Sequence, residues 1–324
     1  MSLSDPPRRA LLGLLSPAGP RARLLILTFH QVLAEPDPLH RSTPHVRAFA
    51  EQMQWLKDYC TVLPLPEAAD GLREGRLPAR AACITFDDGY SDNHDNAAPV
   101  LGSLGLPATF FVTGGAAEDG IMWNDLVIEG VRRAGGALDL GDLDLGSHRL
   151  GGDGERRAAI PAIIDKLKYR PLDERRAIAE TVFSRAAGTP PPRLMMTRDQ
   201  VASLAGRHFD VGAHTIHHPI LKELSDGQAR QEITDSRNWV RDVTGVAPRS
   251  FAYPNGRPGI DFTTGHEAMV REAGFSVAVS TRWAAATRGD SLFALPRFAP
   301  WERARSGYWS RLAKTLIRSY VGGD

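Results

Sequence analysis

The chain has 324 residues, 42% of them hydrophobic, and a formal net charge of +1. That is too apolar for a disordered chain and too neutral for the dense basic surface of a nucleic-acid binder. The length suits a single α/β barrel, which often runs to roughly 250 residues or more.

The N-terminus does not read as a secretory signal. Arg8 and Arg9 precede only a short apolar run, 10–15, which Pro17 and Pro20 interrupt. No stretch approaches the ~20 apolar residues needed to span a bilayer. A soluble, cytoplasmic protein is therefore expected, with residues 1–22 as an N-terminal extension. Cys60 and Cys83 lie far apart without CxxC spacing. They read as small buried hydrophobes rather than a disulfide framework.

Short β-rich runs then alternate with helical patterns, as repeated βα units do. The expected strands are 24–29, 60–64, 82–86, 108–112, 209–213, 250–253, 275–280 and 292–298. Between the first two, Phe49, Met53 and Leu56 fall on one face of a helix over 46–59. The regularity breaks over about 114–197. Residues 137–150 alternate apolar with polar around Gly141-Asp142, a hairpin pattern, and helices follow over 160–168 and 172–187, stopped at Gly188-Thr189-Pro190. Asp139, Asp142 and Asp144 lack the full spacing of a calcium loop, so a solvated hairpin edge is the better reading. In 225–245, Ser225 is the expected N-cap, Ala229, Ile233, Val240 and Val243 form the apolar stripe, and Gly245 is the stop. The last helix, 308–320, places Trp309, Leu312, Leu316 and Ile317 on one face. Docking on the barrel is the expectation; peripheral contact with a membrane surface is the alternative. Seven or eight strands in this order point to a closed or nearly closed barrel over 23–302, with an inserted hairpin-plus-helices segment and a C-terminal helix at 303–324. An open doubly wound sheet also fits the pattern.

Two strand ends carry the chemistry. Thr85-Phe86-Asp87-Asp88-Gly89 follows an apolar strand and places two carboxylates where barrels hold active sites. Adjacent like charges need a cation or a proton to neutralise them. A metal would do so, with one carboxylate as ligand and the other free to handle a proton. A polar Asp-Gly turn is the competing reading. The second strand end decides between them. His214-Thr215-Ile216-His217-His218 supplies a His–x3–His pair, His214 and His218, with His217 as bystander. One carboxylate and two imidazoles leave an open position for water, the pattern of catalytic zinc.

Together with Phe251-Ala252-Tyr253-Pro254-Asn255-Gly256, these segments resemble the first three motifs of polysaccharide deacetylases, the family 4 carbohydrate esterases with the chitooligosaccharide-deacetylase homology domain. The resemblance covers about 22–300, apart from the insertion. It implies a distorted (β/α) barrel, Asp87 as catalytic base, and Asp88, His214 and His218 as ligands of a divalent metal, foremost Zn2+. It also implies a sugar cleft lined by Tyr253, Pro254 and Asn255, with a backbone N–H there holding the oxyanion. The chain departs from the family's common form at two places. The third-motif Arg that pairs with the catalytic Asp is replaced by Ala252, so Arg297, ending another expected strand, is the candidate to hold Asp87 ionised. The C-terminal Leu-x-His motif is missing, and His30, ending the first strand, resembles a branch in which that motif stands at the N-terminus. His30 is then the expected general acid, against the alternative of a core histidine. Trp123, in Trp123-Asn124-Asp125, and Trp301 are candidates for sugar stacking, although such residues are more often core. The expected activity is metal-dependent removal of an acetyl group from an N-acetylated sugar. Hydrolysis of another amide or ester, or a catalytically inactive glycan-binding barrel, are the alternatives.

Overall fold

The computed structural model describes residues 5–186, 189–207 and 209–318. Gly188, Ala187 and the expected helical residues beyond Arg318 lie outside them. Nine strands form among the described residues: β1 (Leu25–Phe29), β2 (Thr61–Val62), β3 (Ala81–Phe86), β4 (Thr109–Val112), β5 (Ala137–Leu140), β6 (Gly146–Arg149), β7 (Asp210–Ala213), β8 (Ser250–Ala252) and β9 (Val277–Val279). Seven make one parallel sheet, ordered β1-β3-β4-β7-β8-β9, with β2 paired to the start of β3. All residues of β1 and β3 are buried, as expected of parallel strands covered on both faces. Strand alternation sorts them into two layers. Leu25, Leu27, Phe29, Ala82, Ile84 and Phe86 join the large core under the outer helices. Leu24, Ile26, Ala81 and Cys83 join the inner cluster with Phe111, Val279 and Leu295. Both cysteines are buried and free.

The expected eighth strand, 292–298, does not form as a regular strand. It survives as single parallel bridges, Leu295 to Val279 and Phe298 to Leu27. Pro296 between them has no N–H to donate. Even so, Leu295 N–H reaches Ala278 C=O and Phe298 N–H reaches Ile26 C=O, both within 3.0 Å. This segment joins the two edges of the curled sheet, so the protein is a distorted barrel and not an open doubly wound sheet.

The insertion forms much as its pattern predicts. β5 and β6 pair antiparallel around a helical turn at Gly141–Leu143. Asp142 at this tip pairs with Arg185, and Asp139 accepts from Ser147 and Gly141. The first helix beyond it begins at Asp153, seven residues earlier than expected, because its polar opening turns carry no apolar period. Helices Trp123–Arg133, Asp153–Leu167 and Leu172–Ala186 enclose an apolar cluster of their own around Val127, Leu140, Ile163 and Phe183. Helix Asp226–Thr244 has the expected ends: Ser225 and Gln228 form a capping box, and Gly245 takes φ 76°. The terminal helix Arg305–Arg318 docks on the barrel through Tyr308, Leu312 and Leu316, while Ile317 stays exposed. Trp309 of that helix donates to Arg8 C=O, tying it to the N-terminal helix Pro6–Leu15. No helix among the described residues is long and apolar enough to cross a membrane.

Candidate functional site

The site forms where β3, β7 and β8 end. Beyond β3 the chain turns sharply through two left-handed residues, Asp88 (φ 74°) and Gly89 (φ 90°). A Cβ on Gly89 would lie 3.0 Å from Val112 Cγ1, so the turn needs glycine for both conformation and space. Four of the six non-glycine residues with positive φ among those described, Asp88, Thr215, His218 and Asn255, fall in the three motif loops. Each such conformation costs on the order of 1–3 kcal/mol, and strain of this kind collects where geometry is used.

Asp88 Oδ1 lies 3.3 Å from His214 Nε2 and 3.5 Å from His218 Nε2. The three potential ligand atoms lie within 4.8 Å of one another, and Asp88 Oδ1 is buried without a hydrogen-bond partner. An enclosed oxygen facing two imidazole nitrogens fits the ligand set of a divalent ion. His214 Nδ1 lies 2.7 Å from Ala252 C=O. A proton on Nδ1 satisfies that carbonyl and leaves the Nε2 lone pair facing Asp88. Burial pushes the His218 imidazolium down to about 3, so this ring is neutral and ready to ligate. Burial acts the same way on His214, but its contact with Asp88 and the charges of Asp87 and Asp88 outweigh burial and raise it. For Asp88, burial is overcome by His214 and the surrounding histidine charges, which hold its carboxyl below the usual range.

His217 stands outside this cluster, with its side chain largely exposed. Its Nδ1 meets Glu232 Oε1 at 2.6 Å, while Glu232 Oε2 accepts the N–H groups of Ile216 and His217 at 2.8 and 3.1 Å. Glu232 from helix Asp226–Thr244 thus clamps the loop that carries both imidazoles. Gly115 lets that loop approach, since a Cβ there would lie 2.7 Å from Ile216 C=O.

Asp87 meets Arg297 in a two-pronged pair, Nη1 to Oδ1 and Nη2 to Oδ2, both at 2.7 Å. Nε donates to Ser280 C=O and Nη1 also to Thr85 Oγ1, fixing the guanidinium plane. Arg297 is 1% exposed and Asp87 3%. Burial alone would raise the Asp87 carboxyl; the charge and hydrogen bonds of Arg297 outweigh it and hold the group ionised below its ordinary range. Arg297 thus pairs with Asp87 as expected.

The remaining expected residues divide. His30 is exposed rather than in the core, and its charge is felt by Asp87, Asp88 and His218. With Phe29, Thr43, Pro44 and the exposed Trp301 it borders a cavity of about 250 Å³. The Tyr253 ring, expected at the cleft, is instead in the core: it is 1% exposed, stacks on Phe262 at 3.7 Å and donates to Phe293 C=O. Pro254 is buried as well, and Asn255 is the exposed residue of that turn. Trp123 is largely buried, and the Arg175 guanidinium covers its ring at 4.6 Å. A second cavity, of about 220 Å³, is lined by Trp123, Arg175, Ile216, His217 and His218.

Several residues at the site carry no motif. Arg175 from the insertion donates to the C=O groups of His217 and His218. Asn93 donates to His30 C=O and Asp92 accepts Val32 N–H, which anchors the His30 loop; burial pushes the Asp92 carboxyl up to about 7. Asp125, raised by burial to about 8, accepts from Tyr90. Only Glu232 left a trace in the sequence, as a charged residue beside Ile233 on an apolar stripe.

Comparison with known proteins gives this arrangement a context. Residues 74–278 match the family model of polysaccharide deacetylases. YxkH of Bacillus subtilis (strain 168), named for the same family, is 23% identical over 279 residues, covering 85% of this chain and 71% of YxkH. A poly-beta-1,6-N-acetyl-D-glucosamine N-deacetylase of Staphylococcus aureus is 33% identical over 81 residues, 24% of this chain and 28% of its own length. Among solved structures, the fold resembles Streptococcus pyogenes deacetylase PplD in complex with acetate, with TM-score 0.61 and 18% identity over 91% of this chain and 98% of that one. It also resembles IcaB from Ammonifex degensii, with TM-score 0.58 and 20% identity over 93% and 98%. With the family model spanning β3 to β9 and both carboxylate and imidazole motifs, the chain belongs to the polysaccharide deacetylase family and is a hydrolase of carbon–nitrogen bonds other than peptide bonds.

Proposed function

We propose that this protein removes the acetyl group from an N-acetylated sugar, as a poly- or oligosaccharide or a glycoconjugate, with a divalent metal held by Asp88, His214 and His218. The observation that carries this reading is the pairing of that ligand cluster with a neighbouring carboxylate, Asp87, kept ionised by Arg297.

A bound divalent ion, Zn2+ being the expected one, supplies Lewis acidity that activates water and polarises the acetamide carbonyl. Asp87 accepts the proton of the attacking water, which its ionised state allows. The Asn255 N–H makes no hydrogen bond among the described residues and stands in a left-handed turn beside the cluster's β8 edge. It is better placed to donate to the oxyanion than the Tyr253 N–H, which already faces Val279 C=O at 3.4 Å. His30, accessible and electrostatically coupled to both carboxylates, protonates the departing amine. The products are acetate and the free amino sugar. The cavities beside His30 and beside His218 are where the flanking sugar units are expected, with Trp301 as a stacking surface.

The test is acetate release from N-acetylglucosamine oligosaccharides by the purified protein, with added zinc and a chelator control. Chelator-sensitive release that vanishes in Asp87→Asn while zinc content is unchanged supports the assignment. Retained turnover in Asp87→Asn refutes Asp87 as the base.

A further inference from the structure

Beside the ligand cluster the insertion buries a guanidinium that forms no ion pair with a carboxylate among the described residues. Arg175 is 4% exposed, comparable to Arg297, yet it has no ion-pair partner among the described residues. Its Nη2 is shared between the His217 and His218 carbonyls at 3.2 and 3.3 Å, and Nε has no hydrogen-bond partner. Trp123, under the guanidinium, is also largely buried, and its indole N–H is unpartnered too. Both side chains line the same cavity of about 220 Å³, whose other wall includes the metal-ligating candidate His218. Glu232, engaged with the His217 loop, acts on Arg175 by charge but does not outweigh its burial, and the two carboxylates that border the cavity do not pair with it. Asp119 is engaged by Arg176 at 3.3 Å, and Asp173 lies in the exposed first turn of its helix.

A buried cation without a paired counter-ion is costly to keep, and two clamped backbone carbonyls do not neutralise it. A guanidinium presents a flat fork that matches the oxygens of a carboxylate or phosphate. The indole N–H adds a second donor along the same wall. We propose that this cavity is a subsite for an anionic substituent, a carboxylate or a phosphate, on the sugar unit adjoining the one that is deacetylated, with Arg175 and Trp123 as its donors. The position relative to the reacting sugar rests on the proposed deacetylation; the anion site itself rests on the insertion alone.

Calorimetric titration of the zinc-loaded full chain with three disaccharides tests this: a neutral N-acetylglucosamine disaccharide, one carrying a uronic carboxylate, and one carrying a phosphate. The expected result is at least tenfold tighter binding of one or both acidic ligands, and the tighter of the two names the natural group. Arg175→Gln is expected to remove that preference, weakening the acidic ligand at least tenfold more than the neutral one. Trp123→Phe keeps the stack and loses the donor, and is expected to reduce the preference by a few-fold, so it decides the matter if Arg175→Gln does not fold. Equal binding of all three ligands overturns the proposal. So does an Arg175→Gln variant that weakens all three alike and loses zinc, which would make Arg175 a clamp for the His217–His218 loop and nothing more. Acid preference without acetate release from any ligand would sink the deacetylation reading and leave the subsite standing; acetate release with no acid preference would do the reverse.

Discussion

Replacing Arg297 by Met tests the electrostatic core of the site. Arg297 and Asp87 are both almost fully buried and joined by two 2.7 Å hydrogen bonds. Removing one partner of such a pair leaves an uncompensated charge worth roughly 3–5 kcal/mol. The carboxylate can escape that penalty by taking up a proton. At about 1.4 kcal/mol per pKa unit, relief of ~3 kcal/mol corresponds to a shift of roughly two units. Asp87 in the wild type lies below the ordinary aspartate value of about 3.9. In Arg297→Met it is expected to rise above the ordinary value, burial now acting unopposed. Two readouts follow. The acid limb of kcat/KM for acetate release should move up by about two pH units. In urea unfolding at pH 7 the variant should be less stable by ~3 kcal/mol. The wild-type contribution of Asp87 is present above the unfolded pKa and lost as pH falls through the lower folded one. In the variant the folded pKa is the higher one, so its penalty fades as pH drops through that raised value towards the unfolded one, and the two stability curves should converge at acid pH. An unmoved acid limb together with a stability gap independent of pH would refute the argument.

Three further outcomes are expected. Glu232→Gln weakens the clamp on Ile216 and His217 and should lower zinc affinity roughly tenfold or more, read by competition with a chromogenic chelator; unchanged affinity would mean the loop holds its shape without it. His30→Ala should lower kcat by about 10²-fold or more with zinc content intact, and a variant with full activity would remove His30 from the mechanism. Tyr253→Phe keeps the stack on Phe262 and loses the bond to Phe293 C=O, costing about 1 kcal/mol in unfolding free energy with kcat nearly unchanged; a large fall in kcat would place the hydroxyl at the cleft after all.

Local patterns read well where they are self-contained. The apolar runs of β1 and β3, the capping box at Ser225, the hairpin around Gly141 and the paired-Asp and His–x3–His motifs all follow from residues close in sequence, because capping, strand alternation and tight turns are short-range. The sheet's closure was less legible. Pro296 interrupts 292–298, so only its bridges to Leu27 and Val279 show that the segment joins the edges. Tyr253 reads as a cleft residue by motif, but packing against Phe262 and Phe293 takes its ring into the core.

By itself the sequence determined the alternating α/β order and the Asp87–Asp88 and His214–His218 pairs, since strand-end motifs carry residue type and spacing together. Tertiary structure decided what surrounds them. Arg297 reaches Asp87 across 210 positions only because the curled sheet brings the end of the chain beside β3. Arg175 and Glu232 reach the histidine loop from two separate helices, 42 and 15 positions away. The ion pair at Arg297 and the lack of one at Arg175 are properties of which elements pack together, and no local run of residues encodes that.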